Sequence, residues 1–90
     1  MAVNRRRPRI RIDPEFRALI PPPTPGERSQ LETNIIAAGR AMDPLALWGD
    51  VLLDGHNRLD ICTRRGLPFT TTQVQLANRT DARAWIGRRR

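Results

Sequence analysis

Val51-Leu52-Leu53-Asp54-Gly55-His56-Asn57-Arg58 passes from an apolar run straight into a helix start. Val51-Leu52-Leu53 reads as a short strand, bounded on its N-terminal side by the turn pair Gly49-Asp50. Asp54 is a helix-capping residue type, and Leu59, Ile61 and Cys62 then fall on one broad face. Gly66 is a natural stop, so the spacing predicts a helix capped by Asp54 and running to about Arg65. On the other side of the turn, Pro44-Leu45-Ala46-Leu47-Trp48 reads as a second strand. The two strands make an antiparallel hairpin.

Outward from this centre the pattern stays mixed. Thr24-Pro25-Gly26-Glu27 is a helix start: Thr24 caps, Pro25 suits the first helical position, and Glu27 completes a capping box. Leu31, Ile35 and Ala38 follow helical spacing and Gly39 ends the run, giving a helix over residues 25–38. Thr70 to Leu76 is β-branched and partly alternating, hence a strand. Asn78 or Thr80 caps a last helix with Ala82, Trp85 and Ile86 on one side, and Arg88-Arg89-Arg90 suits its negative end. Arg9-Ile10-Arg11-Ile12 alternates as a short edge strand would. The order is (β)αββαβα, an α+β domain with a mixed sheet and three helices. Residues 1–12 form a basic flexible arm and residues 13–90 the domain, with Pro21-Pro22-Pro23 a stiff connection inside it.

Ninety residues make one domain. A chain of this length buries about 60% of its unfolded surface, so the core is small. No apolar run approaches the length of a membrane span, and no apolar segment follows the first arginines as a signal peptide requires. These readings place the chain in the cytoplasm and away from membranes. The single cysteine, Cys62, excludes an intrachain disulfide, and with one histidine it argues against a structural zinc site. All 16 basic residues are arginine and the formal charge is +7, which points to a polyanionic partner, nucleic acid above all. Arg5, Arg6, Arg7, Arg9 and Arg11 in the arm are the candidates for DNA phosphate contacts, which would be sequence-independent and salt-sensitive.

The strand-to-helix turn carries the most specific chemistry. A helix N-terminus exposes unpaired N–H groups, and its dipole favours an anion. Gly55 lets a phosphate approach the backbone, the N–H groups of His56, Asn57 and Arg58 line the place, and the Arg58 side chain leans back over it. Against this, Asp54 as cap satisfies the same N–H groups and repels a bare phosphate, unless a magnesium ion joins the two. On spacing alone, a phosphate site and a well-capped helix are equally open.

The block from Asp43 to Trp48, followed by Leu53-Asp54-Gly55-His56-Asn57-Arg58-Leu59-Asp60-Ile61, resembles the ParB N-terminal domain and its ParB/sulfiredoxin superfamily. The helix that ends at Gly39 sits where that family has one, and the resemblance spans roughly Asp13 to Ile86. It implies a nucleotide whose phosphates lie on this turn, CTP or ATP with Mg²⁺, in a plasmid, phage or chromosome partition or regulation setting. Gly55 matches the family's glycine, His56 a residue type often found after it, and Arg58 the last arginine of the box. Asn57 departs from the pattern, standing where an arginine is usual. His56 stands where sulfiredoxins have their catalytic cysteine, so their activity is not expected, and Cys62 reads as a small core residue. The residues after Ile86 leave no room for the partition proteins' second nucleotide motif or their helix-turn-helix. A complete DNA clamp is therefore expected to need further chain or a partner, and a homodimer or larger assembly is a possible form.

Other candidates carry less. His56 has a near-neutral pKa suited to general-base work, but no nucleophile stands beside it. Trp48 is placed to stack a base at the end of its strand, Trp85 reads as core, and Asp60 as solvated. Three functions follow: a nucleotide-binding domain beside DNA, a DNA-binding or protein-interaction module that keeps only the fold, and an enzyme, either nuclease or small-molecule kinase.

Overall fold

The computed structural model describes residues 9–89. Its elements are α1 (Pro14–Ala18), α2 (Pro25–Ala38), β1 (Leu45–Trp48), β2 (Val51–Asp54), α3 (His56–Arg65), β3 (Thr71–Gln73) and α4 (Arg79–Arg88). The fold is α+β, with a three-stranded mixed sheet in the order β2-β1-β3. β1 and β2 form the expected antiparallel hairpin, with a register shift between Ala46 and Leu47. β3 lies parallel to β1, with Leu45 opposite Thr71 and Leu47 opposite Gln73.

The apolar runs of β1 and β2 follow from burial on both faces. On one face Ala46, Val51 and Leu53 pack with Phe16 of α1 and Ala82 and Ile86 of α4. On the other, Leu45, Leu47 and Leu52 pack with Leu59 of α3 and with Phe69. Ile35, Ala41, Ile61 and Cys62 form a third cluster between α2 and α3. Cys62 is wholly buried, in keeping with its core assignment.

Among the described residues there are four helices where three were expected. The addition is α1, a five-residue helix capped by the Asp13 carboxylate, which accepts from the N–H groups of Glu15 and Phe16. It is too short for a periodic pattern, and its one fully buried residue is Phe16. The alternating Arg9–Ile12 segment makes a single parallel bridge, Arg11 with Val51, rather than a strand. The strand expected from Thr70 to Leu76 is regular only over Thr71–Gln73. Its side chains are exposed, and the Gln73 amide clamps the hairpin turn, accepting from the Gly49 N–H at 3.1 Å and donating to the Gly49 carbonyl at 2.8 Å.

α2 has the boundaries and the capping box its sequence predicts, and Gly39 closes it at φ 75°. α4 is capped by Asn78, whose Oδ1 accepts from the Asp81 N–H. Among the described residues, no helix is long and apolar enough to cross a membrane.

Candidate functional site

The chain leaves β2 at Asp54 and enters α3 at His56, with Gly55 alone between them. A reversal this tight puts Gly55 at φ 106°, a conformation that L side chains rarely adopt. Space demands glycine as well: a Cβ here would lie 2.5 Å from Leu45 Cδ2 and 3.3 Å from the Arg58 guanidinium.

Asp54 does not cap α3. It is the last residue of β2, the cap position belongs to Gly55, and no side chain bonds to this helix end. The carboxylate instead faces two arginines, with Oδ2 3.8 Å from Arg58 Nη2 and 3.6 Å from Arg89 Nε. The other three helices among the described residues each carry a side-chain cap, from Asp13, Thr24 and Asn78. The first N–H groups of α3 have no partner within the helix, so they present its positive end outward.

That end opens into a cleft of about 360 Å³. Asp54, Gly55, His56, Asn57 and Arg58 line one side, and Arg17, Ala18, Leu31 and the chain from Ile20 to Pro23 line the other. The polyproline stretch is thus a rigid wall. Gly55, His56, Asn57 and Arg58 line the cleft together, and Arg17 enters it from α1, the helix the sequence reading misses. The signal for α1 is present in Asp13-Pro14-Glu15, a capping residue, a proline at the first position and an acid in the first turn.

Three buried atoms cluster here without a hydrogen-bonding partner: both His56 ring nitrogens and Arg58 Nε. Such atoms each carry a desolvation cost of about 1–3 kcal/mol. Burial holds the His56 pKa below the usual imidazole value; the Arg17 charge lowers it further and Asp54 opposes both. His56 is therefore a neutral imidazole at pH 7. The polar side chains that line the cleft are Arg17, Asp54, His56, Asn57 and Arg58.

Asn57 lines the cleft with its side chain already engaged by α2. Its Oδ1 accepts from Arg28 Nη1 at 2.7 Å, leaving its backbone N–H at the helix end. Asp60 is not merely solvated: it pairs with Arg28 of α2 and with Arg64. At the end of its strand, the Trp48 indole N–H donates to the Leu76 carbonyl and its ring packs near Phe16. Among the described residues, no group of three or more histidine, cysteine, aspartate or glutamate side chains gathers to hold a metal. Of the arm arginines, Arg5, Arg6 and Arg7 lie outside the described residues, Arg9 is exposed, and Arg11 pairs with Asp50.

No family model, curated protein or solved structure matches this chain.

Proposed function

We propose that the cleft at the start of α3 binds the phosphates of a nucleotide, CTP or ATP, in a cytoplasmic protein that works beside DNA. One observation carries the reading: the α3 N-terminus is uncapped and opens into a cleft flanked by Arg17 and Arg58. An anion there would meet the N–H groups of His56, Asn57 and Arg58, the positive end of the helix dipole and two guanidinium groups. Gly55 brings the backbone within reach. Asp54 weighs less against a phosphate than its capping role suggested, because Arg58 already faces its charge. Magnesium bound to the phosphates would find at most this one carboxylate, a usual arrangement for that ion.

Isothermal calorimetry with inorganic tripolyphosphate, CTP and ATP, with and without magnesium, tests the reading. Binding tighter than about 1 mM is expected, weakened roughly tenfold or more by Arg58→Ala, the weight of a charge-assisted hydrogen bond. No binding below that concentration, or an Arg58→Ala variant that binds as well as the parent, rules it out. The DNA setting rests on the +7 charge carried wholly by arginine. It predicts a gel shift that weakens steeply with salt and is lost on deleting residues 1–11.

A further inference from the structure

A second cleft, of about 270 Å³, is lined by Ile20, Pro21, Leu53, Asp54, Trp85, Ile86 and Arg89. Ile20, Pro21 and Asp54 also line the cleft at α3, so the two share a wall. The chemistry changes in order along the pair: a basic helix end, then a carboxylate, then an aromatic ring in an apolar recess. Phosphate, sugar and base follow one another in that order in a nucleotide. We infer that the second cleft takes the nucleobase of a ribonucleotide, stacked at Trp85, with Asp54 receiving the ribose hydroxyls.

The inference rests on the phosphate reading of the first cleft and adds the ligand's other end. Trp85 is half-buried and packs against the core, so its ring is held in place before any ligand arrives. The Arg89 guanidinium lies 4.7 Å from the centre of that ring. A flat cation already occupying a ring face marks the place where a flat base can lie, because both are attracted to the same π surface. Arg89 is half-exposed and its ion pair with Asp54 is long, so it yields easily. The Asp54 carboxylate only accepts hydrogen bonds, which suits hydroxyl donors and not phosphate oxygens. An acidic side chain beside a dinucleotide fold's phosphate turn holds ribose hydroxyls by the same chemistry.

Calorimetry compares inorganic tripolyphosphate with ATP, CTP, GTP, UTP and their deoxy forms. At least one ribonucleotide should bind roughly tenfold or more tighter than tripolyphosphate, the gain from stacking one base. Trp85→Leu should bring that ribonucleotide down to the affinity of tripolyphosphate while leaving tripolyphosphate unchanged. Asp54→Asn should erase the preference for ribose over deoxyribose. Since Trp85 also packs on the core, its indole resonance in the unaltered protein gives a second reading: nucleotide should shift it and tripolyphosphate should not. If tripolyphosphate binds and no nucleotide binds tighter, the base site is refuted and the phosphate site stands. A nucleotide that gains affinity while the Trp85 resonance stays still refutes the placement as well. Failure of tripolyphosphate and all nucleotides overturns both.

Discussion

Gly55 is the residue on which the turn depends, for two separate reasons. Its φ of 106° is costly for any residue with a Cβ, and Leu45 Cδ2 occupies the space that Cβ would need. Gly55→Ala is therefore expected to lower stability by about 1–3 kcal/mol, read as a drop in the urea midpoint. An unchanged midpoint would show that the turn is looser than this geometry. His56 sits one residue on, between the Arg17 charge that lowers its pKa and the Asp54 charge that raises it. An anion in the cleft adds a second raising influence, so binding should draw in a proton. The histidine's share of the affinity for tripolyphosphate therefore grows as pH falls through and below the unperturbed value near 6.5. Calorimetry at pH 6.5 in two buffers of different ionisation heat measures the uptake, and His56→Asn should remove the histidine's share. At this scale the helix is legible from Leu59, Ile61 and Cys62 on one face and from the Gly66 stop. Asp54 misleads because cap chemistry looks the same whether the residue ends a strand or begins a helix. Only the backbone path separates the two, and here Gly55 takes the cap position.

Elements were readable where the signal is local. The capping box of α2, the Gly49-Asp50 turn, the Gly66 stop and the Asn78 cap all lie within a few residues of what they control. β3 is shorter than its β-branched run because its length is set by β1, a partner more than twenty residues away. α1 holds no helical period in five residues and declares itself only through Asp13-Pro14-Glu15. Through Arg28, α2 steadies the site: the guanidinium donates to Asn57 and pairs with Asp60, tying α2 to the first turns of α3. The position of Arg28 depends in turn on the Thr24 cap. Thr24 Oγ1 accepts from the Glu27 N–H at 3.1 Å and the Glu27 carboxylate accepts from the Thr24 N–H at 2.9 Å. Thr24→Ala should cost about 0.5–2 kcal/mol in chemical denaturation. A loss confined to a few tenths would mean that α2 is held by packing at Leu31 and Ile35 and not by its cap.

Across the whole molecule, ion pairs join elements distant in sequence. Asp13 and Glu15 beside α1 meet Arg79 and Arg83 of α4, Glu32 of α2 meets Arg65 of α3, and Asp60 of α3 meets Arg28 of α2. Side-chain bonds from Arg79 and Arg83 hold the Glu15 pKa below its free value, and Arg65 and Arg28 do the same for Glu32 and Asp60. For Asp13 desolvation pushes upward, but the Phe16 N–H and Arg79 together outweigh it. All four folded-state values lie below the free values of 3.8 for aspartate and 4.5 for glutamate. Depressed carboxylates contribute stability that is complete above the free values and drains away as pH falls through them toward the folded ones. Protonation of the nine aspartates and glutamates also removes negative charge opposing 16 arginines, so repulsion grows over the same interval. The melting temperature should hold between pH 7 and about 5, apart from the small loss His56 adds below its free value of 6.5, and then fall steeply toward pH 3. Glu15→Gln tests the titration of this carboxylate: the variant should melt lower at pH 7 and converge on the parent at pH 3. A constant gap between the two curves would show that Glu15 stabilises through contacts that do not titrate.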